Sequence, residues 1–308
     1  NGKDFNDDLI KDRESFKDYI NNSVYDAIEE KKKIMKSEKD EHLKTSNLNF
    51  IEEFVKKIEK NERKLFFPTG FPSLDDLLDG GLHSGLYFVG AISSLGKTSF
   101  CLQAIDNVAA LGNDCLVFSL EMAREELIAK SLSRHSFLEV LKNNVSVSYA
   151  KTTRGITMGS RYDSYGEEDK FIISESIKSY SNYADKIFIH EGVGNIGAER
   201  IRDDIEKHIR ITGNNPVVLI DYLQILAPVD IRATDKQNID RSVLELKRIS
   251  RDFDIPVICI SSFNRDNYMM PVNMASFKES GAVEYSSDVL IGLQYYGMDW
   301  YEGESQKE

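Results

Sequence analysis

The sequence has little of three features that would each assign it to a class of protein. It contains three cysteines in 308 residues, and their spacing is not typical of a metal site, so neither a disulfide scaffold nor a zinc module organises the fold. No stretch approaches the roughly 20 apolar residues of a membrane span, and the N-terminus is too charged for a secretory signal. These absences predict a cytoplasmic protein with no membrane partner, whose cysteines are inert core thiols: Cys101, Cys115 and Cys259.

Basic residues are fewer than acidic residues in this sequence. Lysine and arginine number 39 against 51 aspartates and glutamates, which leaves a formal net charge of −12. A surface of this sign repels phosphate, so the composition counts against broad, sequence-independent binding of nucleic acid. Any contact with a polynucleotide must therefore be local, through a few basic or main-chain groups on loops.

Residues 1–64 differ in composition from the rest and are rich in Lys, Glu, Asp and Asn. Apolar residues recur there at helical spacing on either side of a polar break over 37–46, which predicts two helices. The two stripes are Phe16, Ile20, Val24, Ala27 and Ile28, then Ile51, Phe54, Val55 and Ile58. Ser46 or Asn47 is a suitable N-cap for the second helix. Its stripe must be covered by its own core or by a neighbouring subunit, and the pattern leaves both open.

We therefore expect an N-terminal helical linker or extension over 1–64 and a second domain over 65–308, because this length allows one large α/β domain plus an appendage. From Phe66 onward, short β-rich apolar runs alternate with helical stretches. The runs cover residues 86–89, 115–120, 186–189, 217–220, 256–260 and 289–293. Buried strands joined by helical crossovers predict a doubly wound, mainly parallel α/β sheet. Residues 144–170, rich in Ser, Thr, Gly and Tyr, are predicted to form a long mobile loop.

The most informative stretch lies between the first of these runs and the helix that follows it. It reads Ala-Ile-Ser-Ser-Leu-Gly-Lys-Thr over residues 91–98. A strand that breaks into a loop and restarts as a helix points backbone N–H groups and the helix's positive end at one spot, which suits a triphosphate. Lys97 would reach the β- and γ-phosphates, and Thr98 would offer its hydroxyl to Mg²⁺. Such loops usually begin with Gly, and Ala91 is acceptable if its φ is negative.

Two of the predicted strands end in a carboxylate. Asp221 follows the run 217–220, and in phosphate-loop enzymes such a residue holds Mg²⁺ directly or through water; standing alone, it would as readily cap a turn. Glu121 follows the run 115–120 at the carboxyl edge of the sheet, where ligands bind in such folds. It is either the general base that deprotonates water or a glutamate favoured by a helix dipole.

Further motifs, in order along the chain, resemble those of DnaB-type replicative helicases. They are the opening residues 69–75 with 80–82, then Phe-Ser-Leu-Glu-Met over 118–122, Leu-Ile-Asp-Tyr-Leu-Gln over 219–224, Ile-Ser-Ser-Phe-Asn-Arg over 260–265 and Lys-Glu-Ser-Gly-Ala-Val-Glu over 278–284. The resemblance covers residues 66–296. It implies a RecA-like P-loop NTPase domain that assembles as a ring hexamer, hydrolyses nucleoside triphosphate at subunit interfaces and translocates on single-stranded DNA.

The resemblance also implies roles for individual residues. Thr98 and Asp221 would hold Mg²⁺, Glu121 would be the general base, and Lys97 would share in catalysis. Lys130 falls where the family often has an Arg near the γ-phosphate. The other residues implied in binding ATP belong to the loop and the start of its helix: Ser93, Ser94, Leu95, Gly96, Lys97, Thr98 and Ser99.

DNA would meet loops facing the central channel, at Arg265, Lys278 and Gly281, where glycine lets the backbone approach phosphates closely. The sequence departs from the family pattern twice. Ser262 occupies the position where the family commonly has a Gln that senses the γ-phosphate, so coupling between hydrolysis and movement is expected to differ. The sequence also stops at Glu308, before the strand that usually carries a basic finger for the next subunit's ATP, so we expect a C-terminally truncated domain with poor turnover.

Residues 2–9 are similar to the tail of primase domains in bifunctional phage and plasmid primase-helicases, although an ordinary acidic linker would have a similar sequence. The leading function is an ATP-dependent DNA helicase motor domain acting in replication, with a primase domain or a helicase loader as further partners. Two other functions stay open. One is a RecA-like DNA-binding ATPase that serves recombination or loading without unwinding, and the other is a regulatory nucleotide-binding module without meaningful hydrolysis.

Overall fold

The computed structural model describes residues 13–59, 66–264, 271–277 and 281–295. The chain divides into two compact units, residues 1–64 and 65–308. Within the described ranges, none of the helices combines the length and the apolar character that crossing a bilayer requires.

The first unit contains two described helices, α1 over Arg13–Lys44 and α2 over Leu48–Glu59. The polar break expected over 37–46 is wrong for most of its length, because α1 continues to Lys44. Lys and Glu are good helix formers, so the stretch stays helical without an apolar stripe. Apolar side chains of both helices are exposed: Ile20, Val24, Ile28, Ile51, Phe54 and Val55.

Among its described residues, the second unit has six parallel strands: β1 Gly85–Ala91, β2 Cys115–Ser119, β3 Ile187–Glu191, β4 Val217–Asp221, β5 Pro256–Ser262 and β6 Val289–Gly292. Their order in the sheet is β3-β2-β4-β5-β1-β6. Every run expected to be a strand is one, and the predicted parallel sheet is confirmed. Because all strands run the same way, the residues that end β1, β2, β4 and β5 lie along one edge.

The described helices of this unit are α3 Pro72–Leu77, α4 Lys97–Ala110, α5 Arg124–Lys142, α6 Thr153–Thr157, α7 Gly159–Tyr162, α8 Glu167–Ser181, α9 Ala198–Thr212, α10 Asp235–Phe253 and α11 Gly281–Ser286. Successive residues of β1 point to opposite faces. Leu86 and Phe88 join a core with α9 and α10, whereas Tyr87 and Val89 join a core with α4. This is the expected doubly wound arrangement.

The three cysteines are free and buried, as expected of core thiols. Burial raises the pKa of each thiol above its ordinary value. Since the thiolate is the reactive form, these cysteines are poor nucleophiles near neutral pH.

The prediction of a long loop over 144–170 is wrong. The segment forms a 3₁₀ turn, then α6, α7 and the start of α8. Lys151 pairs with Asp169 and lies over the ring of Tyr165. The Tyr165 hydroxyl donates to the carbonyl of Gly155 at 2.7 Å. The polar composition that indicated a loop supplies these contacts, which hold the short helices together.

Candidate functional site

The loop between β1 and α4 turns so that its backbone N–H groups converge. Two of its residues have left-handed backbone, Ser94 with φ 64° and Gly96 with φ 96°. N–H groups in such a turn point inward and form an anion-binding concavity, which the N-terminus of α4 extends. Ala91 is the last residue of β1, and extended backbone has negative φ. Glycine is therefore not required at position 91.

The ammonium group of Lys97 lies against the backbone of this loop. Its Nζ donates to the carbonyl of Ala91 at 3.1 Å and to that of Ile92 at 3.0 Å. The loop thus holds a cation beside its converging N–H groups. Both features attract an anionic oxygen, and charge-assisted hydrogen bonds of this kind are the strong ones.

A hydroxyl–carboxylate pair lies beside the loop. Thr98 donates from Oγ1 to Oδ2 of Asp221 at 2.9 Å, and Asp221, the last residue of β4, is only 2% exposed. Burial raises the pKa of Asp221, and the charge of Glu121 adds to the rise. The Thr98 hydrogen bond and the ammonium groups of Lys97 and Lys130 oppose it without outweighing it. Negative charge is therefore only partly compensated here, and a bound cation would stabilise it.

Glu121 and Lys130 face the same cleft as the loop. Glu121 is exposed and follows the end of β2 by two residues, and Nζ of Lys130 on α5 lies 3.4 Å from Oγ of Ser99. This loop cleft has a volume of about 430 Å³, and its lining includes both residues together with Ser93, Ser94, Gly96, Lys97, Thr98, Ser99, Asp221 and Ser262. The structure thus brings together the candidates for nucleotide and metal, apart from Leu95, which belongs to the loop but does not line the cleft.

Of the candidates for phosphate sensing and DNA binding, the structure describes some and not others. Ser262 ends β5 opposite Ala91 in the parallel pair. Gly281 is the first residue of α11 and is exposed. Arg265 and Lys278 lie outside the described residues.

Sequence reasoning missed three residues that line the loop cleft: Met122, Tyr222 and Ile260. Met122 directly follows Glu121, and Tyr222 directly follows Asp221. Their position next to the two carboxylates is the sequence feature that could have identified them. The carbonyl of Met122 accepts a hydrogen bond from Oγ of Ser119 at 2.6 Å. This bond spans the turn that carries Glu121 and holds it in place.

The oxygen atoms beside the loop suit a hard divalent cation. Thr98 and Asp221 offer a hydroxyl and a carboxylate, and Mg²⁺ is usually bound by one or two protein ligands together with phosphate oxygens and water. In the part of the chain that the structure describes, no three His, Cys, Asp or Glu side chains form a group that could hold a metal ion. The hydroxyl of Thr98 and the carboxylate of Asp221 fit a metal that binds together with phosphate.

Residues 67–308 match the family profile described as the DnaB-like helicase C terminal domain. The replicative DNA helicase DnaC of Bacillus subtilis is 30% identical over 250 residues, which is 78% of this chain and 49% of that protein. The replicative DNA helicase DnaB of Pasteurella multocida is 31% identical over 232 residues, 72% of this chain and 45% of that protein. The chain thus spans about half the length of the curated relatives it matches.

Solved structures show the same fold. A structure of a DnaB-like replicative helicase, described together with its interactions with primase, aligns with a TM-score of 0.68 at 23% identity, over 96% of this chain and 69% of the other. A solved ATPase domain aligns with a TM-score of 0.67 at 24% identity, over 86% of this chain and 88% of the other. The second unit is therefore a RecA-like α/β domain.

Proposed function

The chain belongs to the family of DnaB-like helicase C-terminal domains, and from that membership we propose that it is the ATP-driven motor domain of a replicative DNA helicase. The observation that carries the proposal is the 2.9 Å contact between Thr98 and Asp221 beside a loop that encloses the ammonium of Lys97. A hydroxyl, a carboxylate and an ammonium around one anion-binding loop are the groups that phosphoryl transfer from a nucleoside triphosphate requires.

In this proposal the triphosphate of ATP rests on the loop, whose backbone N–H groups donate to it over residues 93–99. Lys97 pairs with the β- and γ-phosphates, and Lys130 adds positive charge close by. Thr98 and Asp221 would hold Mg²⁺, and the ion would supply positive charge against the phosphates. Glu121 orients the attacking water and accepts its proton.

We further propose that several copies of this chain form a hexameric ring around single-stranded DNA. With a net charge of −12, one subunit has little long-range attraction for phosphate, so binding must come from a few contacts multiplied around the ring. Gly281 would contribute main-chain contacts, and Arg265 and Lys278 would add charge. The structure of a DnaB-like replicative helicase that is described together with its interactions with primase supports a primase domain as a partner of the whole protein.

Calorimetric titration of ATP with Mg²⁺ tests the loop. Lys97→Ala removes a charge-assisted contact worth about 1.5–3 kcal/mol, so Kd should rise about tenfold or more. Lys207→Ala removes an exposed lysine of α9 away from the loop cleft and should bind ATP like the wild type. Equal affinity of Lys97→Ala and the wild type would reject the loop as the phosphate site.

Strand displacement on a forked DNA substrate tests the helicase assignment. A protein that hydrolyses ATP in the presence of single-stranded DNA but displaces no strand would be an ATPase without unwinding activity. Measuring the size of the protein in solution, with and without ATP and single-stranded DNA, tests the ring. A particle that stays monomeric under all conditions would contradict it.

A further inference from the structure

The turn that carries Glu121 is short, and its backbone sets the position of that side chain. The turn runs over residues 120–123, between the last residue of β2 and the first residue of α5. Glu121 lines the loop cleft, but within the described residues no hydrogen bond or ion pair holds its carboxylate. Where that carboxylate points therefore depends on what holds the two ends of the turn.

Two contacts hold the start of the turn. The backbone N–H of Leu120 donates to the carbonyl of Asp221 at 2.8 Å, which ties the turn to β4. Oγ of Ser119 donates to the carbonyl of Met122 at 2.6 Å, which spans the turn. Neither contact reaches the first residue of α5, so the far end of the turn needs a support of its own.

Glu191 supplies that support from the neighbouring strand. It is the last residue of β3, and its Oε1 accepts a hydrogen bond from the backbone N–H of Arg124 at 2.8 Å. Its Oε2 lies 3.2 Å from Nε of the same arginine, whose Nη2 donates to the carbonyl of Ile189 at 2.7 Å. The first residue of α5 is thus fixed to β3 both by its backbone and by its side chain.

These contacts set geometry more than they add stability. The side chains of Arg124 and Glu191 are 49% and 41% exposed, and exposed ion pairs contribute little to the stability of a fold. The other contact at this junction, in which the N–H of Ala123 donates to Oε2 of Glu126 at 3.0 Å, lies within the helix and its cap. It does not tie the helix to the sheet, so Glu191 can be removed to free the turn without unfolding the domain.

We propose that Glu191 is a positioning residue for ATP hydrolysis, which acts through Arg124 to keep the carboxylate of Glu121 directed at the loop cleft. The inference rests on the proposed function, since it takes Glu121 as the general base. Glu191 does not itself line the loop cleft, so it acts on the turn and not on the nucleotide. A base held in place beside the attacking water raises kcat, whereas ATP binding does not depend on it.

Phosphate release with ATP, Mg²⁺ and single-stranded DNA measures the effect. Glu191→Ala should lower kcat about tenfold and change the KM for ATP by less than about twofold, because only the position of the base is disturbed. Glu191→Gln keeps an acceptor for the N–H of Arg124 but loses the charge, so kcat should fall only about two- to threefold. Glu175→Ala is the matched control, because Glu175 also forms a surface ion pair, with Lys178 on α8, and does not line the loop cleft.

A double-mutant cycle separates positioning of the base from a general structural role. If Glu191 acts through Glu121, then Glu191→Ala should cost about tenfold in the wild-type background and nothing further in Glu121→Gln. Single-turnover phosphate release at high protein concentration measures the residual rates. Equal losses in both backgrounds, a wild-type kcat in Glu191→Ala, or a raised KM at unchanged kcat would overturn the inference.

Thermal unfolding followed by circular dichroism checks that each variant folds. If Glu191→Ala does not fold, Glu191→Gln takes its place in the cycle with its smaller expected loss. Glu121→Gln alone separates the two proposals. If it hydrolyses ATP at the wild-type rate, Glu121 is not the base, and that part of the proposed function fails together with this inference. If Glu121→Gln loses hydrolysis while Glu191→Ala and Glu191→Gln keep it, this inference alone fails.

Discussion

Two buried carboxylates lie at opposite ends of neighbouring strands, and they differ in what surrounds them. Asp114 precedes β2 at the amino end of the sheet and is 4% exposed, whereas Asp221 ends β4 at the carboxyl edge and is 2% exposed. Each stands beside a short apolar run, Asp114 before it and Asp221 after it. They differ as well in the groups that surround each carboxylate.

Asp114 is surrounded by groups of its own chain. Lys186 donates to it at 3.2 Å, Asn214 donates at 2.9 Å, and Nε2 of His208 lies at 3.2 Å. Burial alone would raise the pKa of Asp114, but these hydrogen bonds and charges outweigh it and hold the pKa below its ordinary value. At the amino end of the sheet, the buried charge of Asp114 is therefore compensated by side chains of the same chain.

Asp221 keeps a raised pKa despite the hydrogen bond from Thr98. The chain compensates one buried charge fully and the other only in part, and the second of these lines a cleft. Perturbed carboxyl groups in clefts are typical of functional sites. The difference indicates that the buried charge at the carboxyl edge is available to a ligand, whereas the charge at the amino end is matched by groups of the chain itself.

The sharpest way to test this contrast is to change the carboxyl edge and look for lost hydrolysis with unchanged stability. Glu121→Gln should lower kcat about 10²–10⁴-fold, because an amide orients water but cannot accept its proton. Since Glu121 is exposed, Tm should not move. Phosphate release in the presence of single-stranded DNA measures the loss, and Glu125→Gln, an exposed neighbour on α5, is the control. Hydrolysis at the wild-type rate in Glu121→Gln would leave Glu121 as a helix N-terminal residue only.

Asp221→Asn should lower hydrolysis by about 10²–10³-fold, since metal-assisted charge stabilisation is worth several kcal/mol. The same change should raise the free energy of unfolding slightly, because a partly compensated buried charge is removed. The Mg²⁺ dependence of phosphate release and thermal unfolding measure the two effects. A variant that hydrolyses ATP normally but melts early would make Asp221 a structural residue like Asp114.

Asp114→Asn should show the reverse pattern. It weakens the contacts with Lys186 and His208, and hydrogen bonds to charged groups contribute about 1.5–3 kcal/mol, so unfolding free energy should fall by about 2–3 kcal/mol. Hydrolysis per folded molecule should stay at the wild-type level. Urea unfolding measures the loss, and Asp203→Asn at an exposed position of α9 should stay within about 0.5 kcal/mol. Lost hydrolysis at full stability would break the contrast between the two ends.

The strands and the loop cleft could be predicted from the sequence because their signals are local. A strand buried on both faces is a continuous apolar run. Glu121 and Asp221 directly follow such runs, and Thr98 follows the loop, so the parallel direction of the strands suffices to bring them to one edge. Chain order therefore predicts that Thr98, Glu121 and Asp221 share the cleft, whereas Lys130 and Ser262, which also line it, are indicated by the family resemblance.

The contacts at the amino end could not be predicted in this way. His208 and Asn214 lie 94 and 100 residues from Asp114, and no local pattern encodes which polar groups will meet. The segment 144–170 was misread as a loop for the same reason, since the Lys151–Asp169 pair that helps to hold it is a tertiary contact. The pairing of Asp106 on α4 with Arg134 on α5 is likewise visible only in the folded chain.

The smallest expected effect is on the pH dependence of stability, and it has opposite signs at the two ends. The folded-state pKa of Asp114 lies below the ordinary value of 3.8. Its contribution to stability is therefore present above pH 3.8 and is lost as the pH falls through the folded pKa. The folded-state pKa of Asp221 lies above 3.8. Ionised Asp221 therefore opposes folding above that folded pKa, and this cost is relieved as the pH falls toward 3.8.

Urea titrations from neutral pH into the acid range measure both signs. Relative to Asp114→Asn, the wild type should be more stable at neutral pH, and its advantage should shrink below pH 3.8. Relative to Asp221→Asn, the wild type should be less stable at neutral pH, and the gap should close as the pH falls through the raised pKa. A tenfold difference in proton affinity corresponds to about 1.4 kcal/mol, so these changes are small but measurable.

ATP with Mg²⁺ should reduce the stability cost of ionised Asp221, because the proposed cation site lies at the carboxyl edge. It should leave the stability difference between the wild type and Asp114→Asn unchanged. Acid responses of the same sign at both positions would contradict the distinction between the two ends of the sheet.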